Sequence, residues 1–322
     1  MSHGGRPCKN VCGSSARPIP SRAKHWPQES RIVKAARFEY HAPTTVDEAT
    51  ALLSAFSGDA KVIAGGQSLV PLLGLRLTRF AHLIDINRVE ALSYVRLDAS
   101  MLSIGATTRQ ATAEHSDEVS SASPLLARAI PHIGHFQIRN RGTVGGSIAH
   151  ADPASELPLL ARVLDAELEL ESVRGVRRVS ANDFFLSMWE TTAEEDEILT
   201  AVHFPATTAR RGYGFEELAL RRGDFAIAGC ACAVTLGVSG AIAEASVGLL
   251  GMDQIPVRAS HAEEALIGQM PNDVDVTEVA ALAVEATAPS GDVHASAAYR
   301  RRVGAVMAER ALTSAMKEGA RG

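Results

Sequence analysis

Aromatic residues are scarce, at 5% of 322 positions, and basic residues hold no majority: 32 Lys and Arg stand against 37 Asp and Glu, for a net charge of −5. A protein that stacks bases or neutralises a phosphate backbone needs the reverse, which argues against nucleic acid as a partner. No stretch reaches the run of about 20 apolar residues that a membrane span requires. The four cysteines, Cys8, Cys12, Cys230 and Cys232, form no C-x-x-C pair, and no His-x-His or H-E-x-x-H cluster accompanies them. That excludes a disulfide scaffold and an iron–sulfur cluster carried by this chain. It leaves the expectation of a cytoplasmic protein. Cys230 and Cys232 read as small apolar residues on one face of a strand. Neither a G-x-G-x-x-G turn nor a G-x-x-x-x-G-K-[ST] loop occurs. No Ser-His-Asp or Cys-His set suggests a nucleophile.

What is present is an ordinary globular composition, 46% apolar and 21% charged, in a length that favours two domains. Residues 1–32 stand apart: Arg6, Lys9, Arg17, Arg22, Lys24 and Arg31 face the single acid Glu29, with Pro, Gly and Ser between them and no apolar periodicity. They read as a disordered extension, a targeting arm or a start placed too early, with folded structure from near Arg37. Thr45-Val-Asp-Glu48 is a capping box opening a helix that buries Val46, Ala49, Leu52, Leu53 and Phe56. Strands are expected over Val62–Ala64, His82–Ile86, Ser93–Leu97, Met101–Gly105, Ala166–Glu171, Val176–Val179 and Ile198–Phe204, and helices over Ser123–His135 and from Ser155. Beyond a linker at Ala206–Arg211 come three strands, Tyr213–Leu220, Ala226–Leu236 and Ala241–Leu249. Two helices, marked by Val276–Ala286 and Tyr299–Ala311, close the chain. The second half thus reads as strands followed by helices, an α+β layout beyond a boundary near residue 206.

Two glycine segments carry the chemical signal. They are Ala64-Gly65-Gly66-Gln67-Ser68 and Thr143-Val144-Gly145-Gly146-Ser147. Bare glycines let the backbone turn and approach a ligand closely. Successive N–H groups can then form an anion cradle. A diphosphate, with two charged groups, can use both segments, with Ser68, Thr143 and Ser147 adding hydroxyls. Asp152-Pro153-Ala-Ser-Glu156 follows the second segment and sets two carboxylates on a turn leading into a helix. His132, His135 and His150 lie nearby and read as turn or surface residues.

AGGQSLVPLL at 64–73, QIRNRGTVGGSIAHADPASELP at 137–158 and RRGDFAIAG at 221–229 together resemble the FAD-binding medium subunit of molybdenum hydroxylases. That group includes the carbon monoxide dehydrogenase medium subunit and the flavin part of xanthine dehydrogenase. The resemblance runs from Phe38-Glu-Tyr-His-Ala-Pro43 to the last helix. It implies an α+β fold: a vanillyl-alcohol-oxidase-type (PCMH-type) FAD-binding domain over 33–206, of two α+β subdomains (about 33–90 and 91–206), with the rest of the chain, 207–322, as a second domain. A C-terminal domain with a three-stranded antiparallel sheet and a helical bundle would follow. By motif it places the FAD diphosphate on Ala64 to Ser68, with Leu69 beside them, and on Thr143 to Ser147. Further contacts fall on Asp152, Glu156, Leu199 and Phe225. Glu156 stands where the family often has Asp, Ser147 where Asn is common, and Phe225 where some relatives have Tyr. Glu217 stands where some have Lys, so that contact is not carried over.

The resemblance implies an oxidoreductase subunit with non-covalent FAD. It would take electrons from a [2Fe–2S] small subunit and pass them to an external acceptor. Substrate would be oxidised at a molybdopterin cofactor in a large subunit, within a dimer of heterotrimers. Two other readings stand beside it: a self-contained flavin oxidoreductase of the same fold, and a scaffold that has lost its flavin.

Overall fold

A computed structural model describes Met1, residues 34–207 and residues 211–321. The basic N-terminal arm, Cys8, Cys12 and the middle of the expected linker lie outside the described residues.

Three short strands, Glu39–His41, Ala60–Ile63 and His82–Asp85, form a parallel sheet in which the last lies between the other two. The helix Val46–Ala55 covers it. Thr45 caps that helix through its side chain on the Glu48 amide, and Glu48 reaches back to the Thr44 amide at 2.8 Å. Ala49 and Leu53 are buried with Ile84 and Ile86. The strand Ala60–Ile63 runs into the first glycine segment, and the short helix Leu69–Gly74 follows.

A five-stranded antiparallel sheet comes next, in the order Val95–Asp98, Met101–Gly105, Ile198–Pro205, Glu167–Ser172, Gly175–Ser180. The alternation of Glu167–Ser172 turns Leu168 and Leu170 into the core. Between Met101–Gly105 and Glu167–Ser172 in sequence, a helical excursion covers one face. The helix expected over Ser123–His135 is broken into Pro124–Ala129 and a 3-10 turn at Ile130–His132. Pro131 has no N–H with which to continue the ladder. The helix Glu156–Val163 is buried along nearly all its length. Each of its fully buried Leu side chains contributes about 1.5–3 kcal/mol of transfer free energy.

The C-terminal sheet is antiparallel: Arg211–Ala219, Ala226–Leu236, Ile242–Leu250 and, as a two-residue addition to the three expected strands, Val257–Arg258. The strand Ala226–Leu236 is buried on both faces, which explains its unbroken run of small apolar residues. The helix Ala297–Gly319 lies so close to Arg211–Ala219 that a Cβ at Gly212 or Gly214 would stand 1.9 Å from the carbonyl oxygen of Ala315 or Ala311. Cys230 and Cys232 are buried under this helix, and burial pushes the Cys230 thiol up to about 12. Such thiols are inert packing. On the other side, Leu159 and Val163 press on Gly248, which fastens the C-terminal sheet to the first part of the chain. Among the described residues no helix is long and apolar enough to cross a membrane.

Candidate functional site

The two glycine segments meet. A Cβ on Gly65 would lie 2.4 Å from the Arg141 carbonyl oxygen and 2.8 Å from the Gly142 Cα, and one on Gly146 would lie 3.8 Å from the Ala64 Cβ. Only a residue without a side chain permits the first approach. Gly66 adopts φ +71°, the left-handed region, so the turn between strand and helix also needs glycine. Gln67 Nε2 donates to the Gly65 carbonyl at 3.1 Å and pins that turn.

Asn87 and Arg109, which sequence reasoning missed, lock this junction. Asn87 Nδ2 donates to the Ala64 carbonyl at 2.6 Å. Arg109 donates to Asn87 Oδ1 at 2.7 Å and, through its other nitrogen, to the Arg141 carbonyl. One chain of three hydrogen bonds therefore joins the first segment to the residues just before the second. The only sequence signal was a polar pair, Asp85 and Asn87, ending a buried strand.

The segments differ in kind. Thr143–Ser147 reads in sequence as a loop; in the structure it opens the helix Val144–His150, with Thr143 as its cap on the Gly146 amide. The amides of Val144, Gly145, Gly146 and Ser147 are satisfied by Thr108, Ala106 and Thr143. Gly145 serves packing, since its Cβ would collide with Ala106 at 2.5 Å. In contrast, the amides of Gly65, Gly66, Gln67 and Ser68 meet no acceptor among the described residues. Ser68 precedes the next helix without a side-chain capping bond, so its hydroxyl is also available. Leu69 opens that helix.

At the far end of the second helix, Ala151 takes φ +53° and turns the chain toward Asp152. Asp152 accepts from the Ala154 amide at 2.9 Å and from Trp189 Nε1 at 3.3 Å. His150 stacks on Trp189, with ring centroids 6.0 Å apart, and burial lowers its pKa below the ordinary histidine value. Glu156 begins the next helix and is buried. Burial first, then the charge of neighbouring Glu217, pushes its carboxyl up to about 8, so it holds its proton at neutral pH. Glu217 reaches this group from the C-terminal sheet. Its Oε1 accepts from His132 Nδ1 at 3.2 Å, while Oε2 is buried without a partner among the described residues.

Phe225 lies on the turn between the strands Arg211–Ala219 and Ala226–Leu236 of the same sheet. The turn Arg221–Phe225 is seated on Gly134 and His135, where a Cβ on Gly223 (φ +89°) would meet His135 Nδ1 at 2.0 Å. The Phe225 ring itself is 65% exposed. Leu199 lies in the core, opposite Leu170 at a bulge in its strand.

Residues 36–207 match the FAD binding domain in molybdopterin dehydrogenase. Residues 213–315 match the CO dehydrogenase flavoprotein C-terminal domain. The fold and the junction thus define an FAD-binding flavoprotein of the PCMH type with its characteristic C-terminal domain. The chain is 39% identical over 284 residues to the 6-hydroxypseudooxynicotine dehydrogenase complex subunit alpha of Paenarthrobacter nicotinovorans, covering 88% of this chain and 96% of that one. It is 38% identical over 280 residues to the carbon monoxide dehydrogenase medium chain of Hydrogenophaga pseudoflava, covering 87% and 97%. A solved structure of carbon monoxide dehydrogenase from that organism superposes with a TM-score of 0.86, over 88% of this chain and 99% of that one, at 38% identity. The chain belongs to the FAD-binding medium subunits of molybdenum hydroxylases.

The site suits FAD on its own terms. The Gly65–Ser68 turn offers an anion a row of amides that meet no acceptor among the described residues.

Proposed function

We propose that this chain is the electron-transfer subunit of a molybdenum hydroxylase complex. It would hold FAD without a covalent bond, with a boundary near residue 206 between the FAD-binding part and the C-terminal domain. The observation that carries the reading is the junction of Gly65 with Arg141–Gly142, which leaves four neighbouring amides free on one turn. Those amides bind the diphosphate, assisted by the Ser68, Thr143 and Ser147 hydroxyls. Asp152 and Glu156 take the ribityl and ring side, Glu156 as a neutral O–H donor. Phe225 covers the ring, and Leu199 supplies the apolar floor.

When bound, the flavin supplies one- and two-electron redox chemistry. The chain's own residues bind it, orient it and set its electrostatics. The charge of Glu217 beside the neutral Glu156 disfavours added electron density there, and Arg139 acts in the opposite sense. The chain's partners would be a small subunit whose [2Fe–2S] cluster supplies the electrons and a large subunit whose molybdopterin serves substrate oxidation, in a dimer of heterotrimers. Support comes from the likeness to subunits named as parts of dehydrogenases.

Purification from the native host tests the proposal. The chain should co-purify with two other subunits and one FAD per medium chain, and the flavin should bleach anaerobically when the complex is given its substrate. A colourless chain that travels alone and takes up no FAD would leave the scaffold reading in its place. Substrate turnover by the isolated chain would favour the self-contained oxidoreductase.

A further inference from the structure

The edge of the parallel sheet carries an unassigned cluster of three side chains. Glu39 and His41 lie two residues apart on one strand and so point to one face. The parallel neighbour brings His82 into register opposite Glu39. His41 Nε2 stands 3.1 Å from His82 Nδ1, and Glu39 Oε2 stands 3.6 Å from the same His82 nitrogen. One ligand atom from each of the three residues lies within 4.8 Å of the others.

These separations have a chemical meaning. A tetrahedral zinc ion with ligands at about 2.0–2.1 Å spaces neighbouring ligand atoms by roughly 3.3 Å. The two measured edges bracket that value. Two neutral imidazoles and one carboxylate form the borderline donor set that selects such an ion, where calcium and magnesium take oxygen ligands alone. Phe56 stacks on His82, with ring centroids 3.8 Å apart and planes 10° from parallel, so the imidazole plane is held before any ion arrives. Both histidines are half-buried and Glu39 is exposed, which leaves the solvent side open for a water as fourth ligand. The strand Glu39–His41 is only three residues long and has a single hydrogen-bonded neighbour. An ion shared between it and His82 would tie this edge strand to the sheet.

We propose that Glu39, His41 and His82 form a binding site for a divalent transition-metal ion of the zinc type, which fastens the first strand to its neighbour. The proposal does not depend on the flavin reading. Its test uses tag-free full-length protein stripped with chelator and titrated with Co²⁺, followed by Zn²⁺ competition. The expected result is one saturable equivalent of Co²⁺ per chain with the strong visible absorption of a four-coordinate site. Zn²⁺ should displace it and raise the melting temperature. Glu39→Ala and His41→Ala should each weaken binding by about tenfold or more, and His261→Ala, at an exposed histidine outside the cluster, should not. Because His82 packs on Phe56, the exposed Glu39 provides the variant that leaves the core untouched. Absence of a saturable equivalent, or native affinity in both Glu39→Ala and His41→Ala, overturns the proposal.

Discussion

Replacing Gly65 with alanine adds one carbon where the two segments touch. That carbon would sit 2.4 Å from the Arg141 carbonyl oxygen and 2.8 Å from the Gly142 Cα, roughly 1 Å inside ordinary contact at about 3.5 Å. Both obstacles are backbone atoms held by Arg109 and by the turn around Ile138, so the segments must part. Overpacking of this kind costs about 1–3 kcal/mol of stability, and each of those lowers the melting temperature by about 2–4 °C in a protein of this size class. The larger effect falls on flavin. Displacing two of the four free amides forfeits two charge-assisted hydrogen bonds at about 1.5–3 kcal/mol each. FAD affinity should therefore drop about 100-fold or more. Flavin-fluorescence titration of deflavinated protein measures this directly, with Gly237→Ala as control, since its added carbon meets nothing nearer than 3.5 Å. A Gly65→Ala protein that melts lower yet binds FAD with native affinity would refute the link between this junction and the diphosphate.

Other consequences follow from the same geometry. Asn87→Ala removes the donor to the Ala64 carbonyl and the acceptor for Arg109; thermal melts should show a loss of about 1–2 kcal/mol and FAD should bind more weakly. Phe225→Ala, at a ring already 65% exposed, should leave stability within about 0.5 kcal/mol while changing the fluorescence and potential of the bound flavin; an unchanged flavin would remove Phe225 from the site. Glu156 titrates near 8 when folded against an ordinary 4.5. The folded protein therefore holds a proton that the unfolded chain gives up, and stability falls as pH rises through that window, by about 1.4 kcal/mol per pH unit at most. In the flavin-free protein, Glu156→Gln should flatten this decline and melt higher than the native chain at pH 8.5; equal slopes in urea-unfolding curves from pH 5 to 8.5 would contradict the assignment.

The residues that were legible in sequence are those whose pattern is local. The capping box at Thr45–Glu48, the alternation of Glu167–Ser172 and the apolar run of Ala226–Leu236 each declare an element without help from the rest of the chain. The helix Val144–His150 was hidden because two adjacent glycines each cost about 1 kcal/mol of helix propensity. Packing against Ala106 overrides that cost, and such a contact leaves no mark in a single sequence. The lock made by Asn87 and Arg109 was hidden for the same reason: its members are separated by 22 residues and meet only after two sheets have formed. The glycine segments themselves stood out, yet part of their purpose is to fit each other. Gly65 and Gly145 are small because neighbouring backbone lies where a side chain would be, and Gly66 because its backbone is left-handed.

The most direct measurement is a structure of the flavin-loaded protein at a resolution that places the diphosphate oxygens. They should lie about 2.7–3.2 Å from amide nitrogens of the Gly65–Ser68 turn, with the Thr143–Ser147 helix start facing them across the junction. A diphosphate bound elsewhere, with those four amides turned to water, would contradict the account.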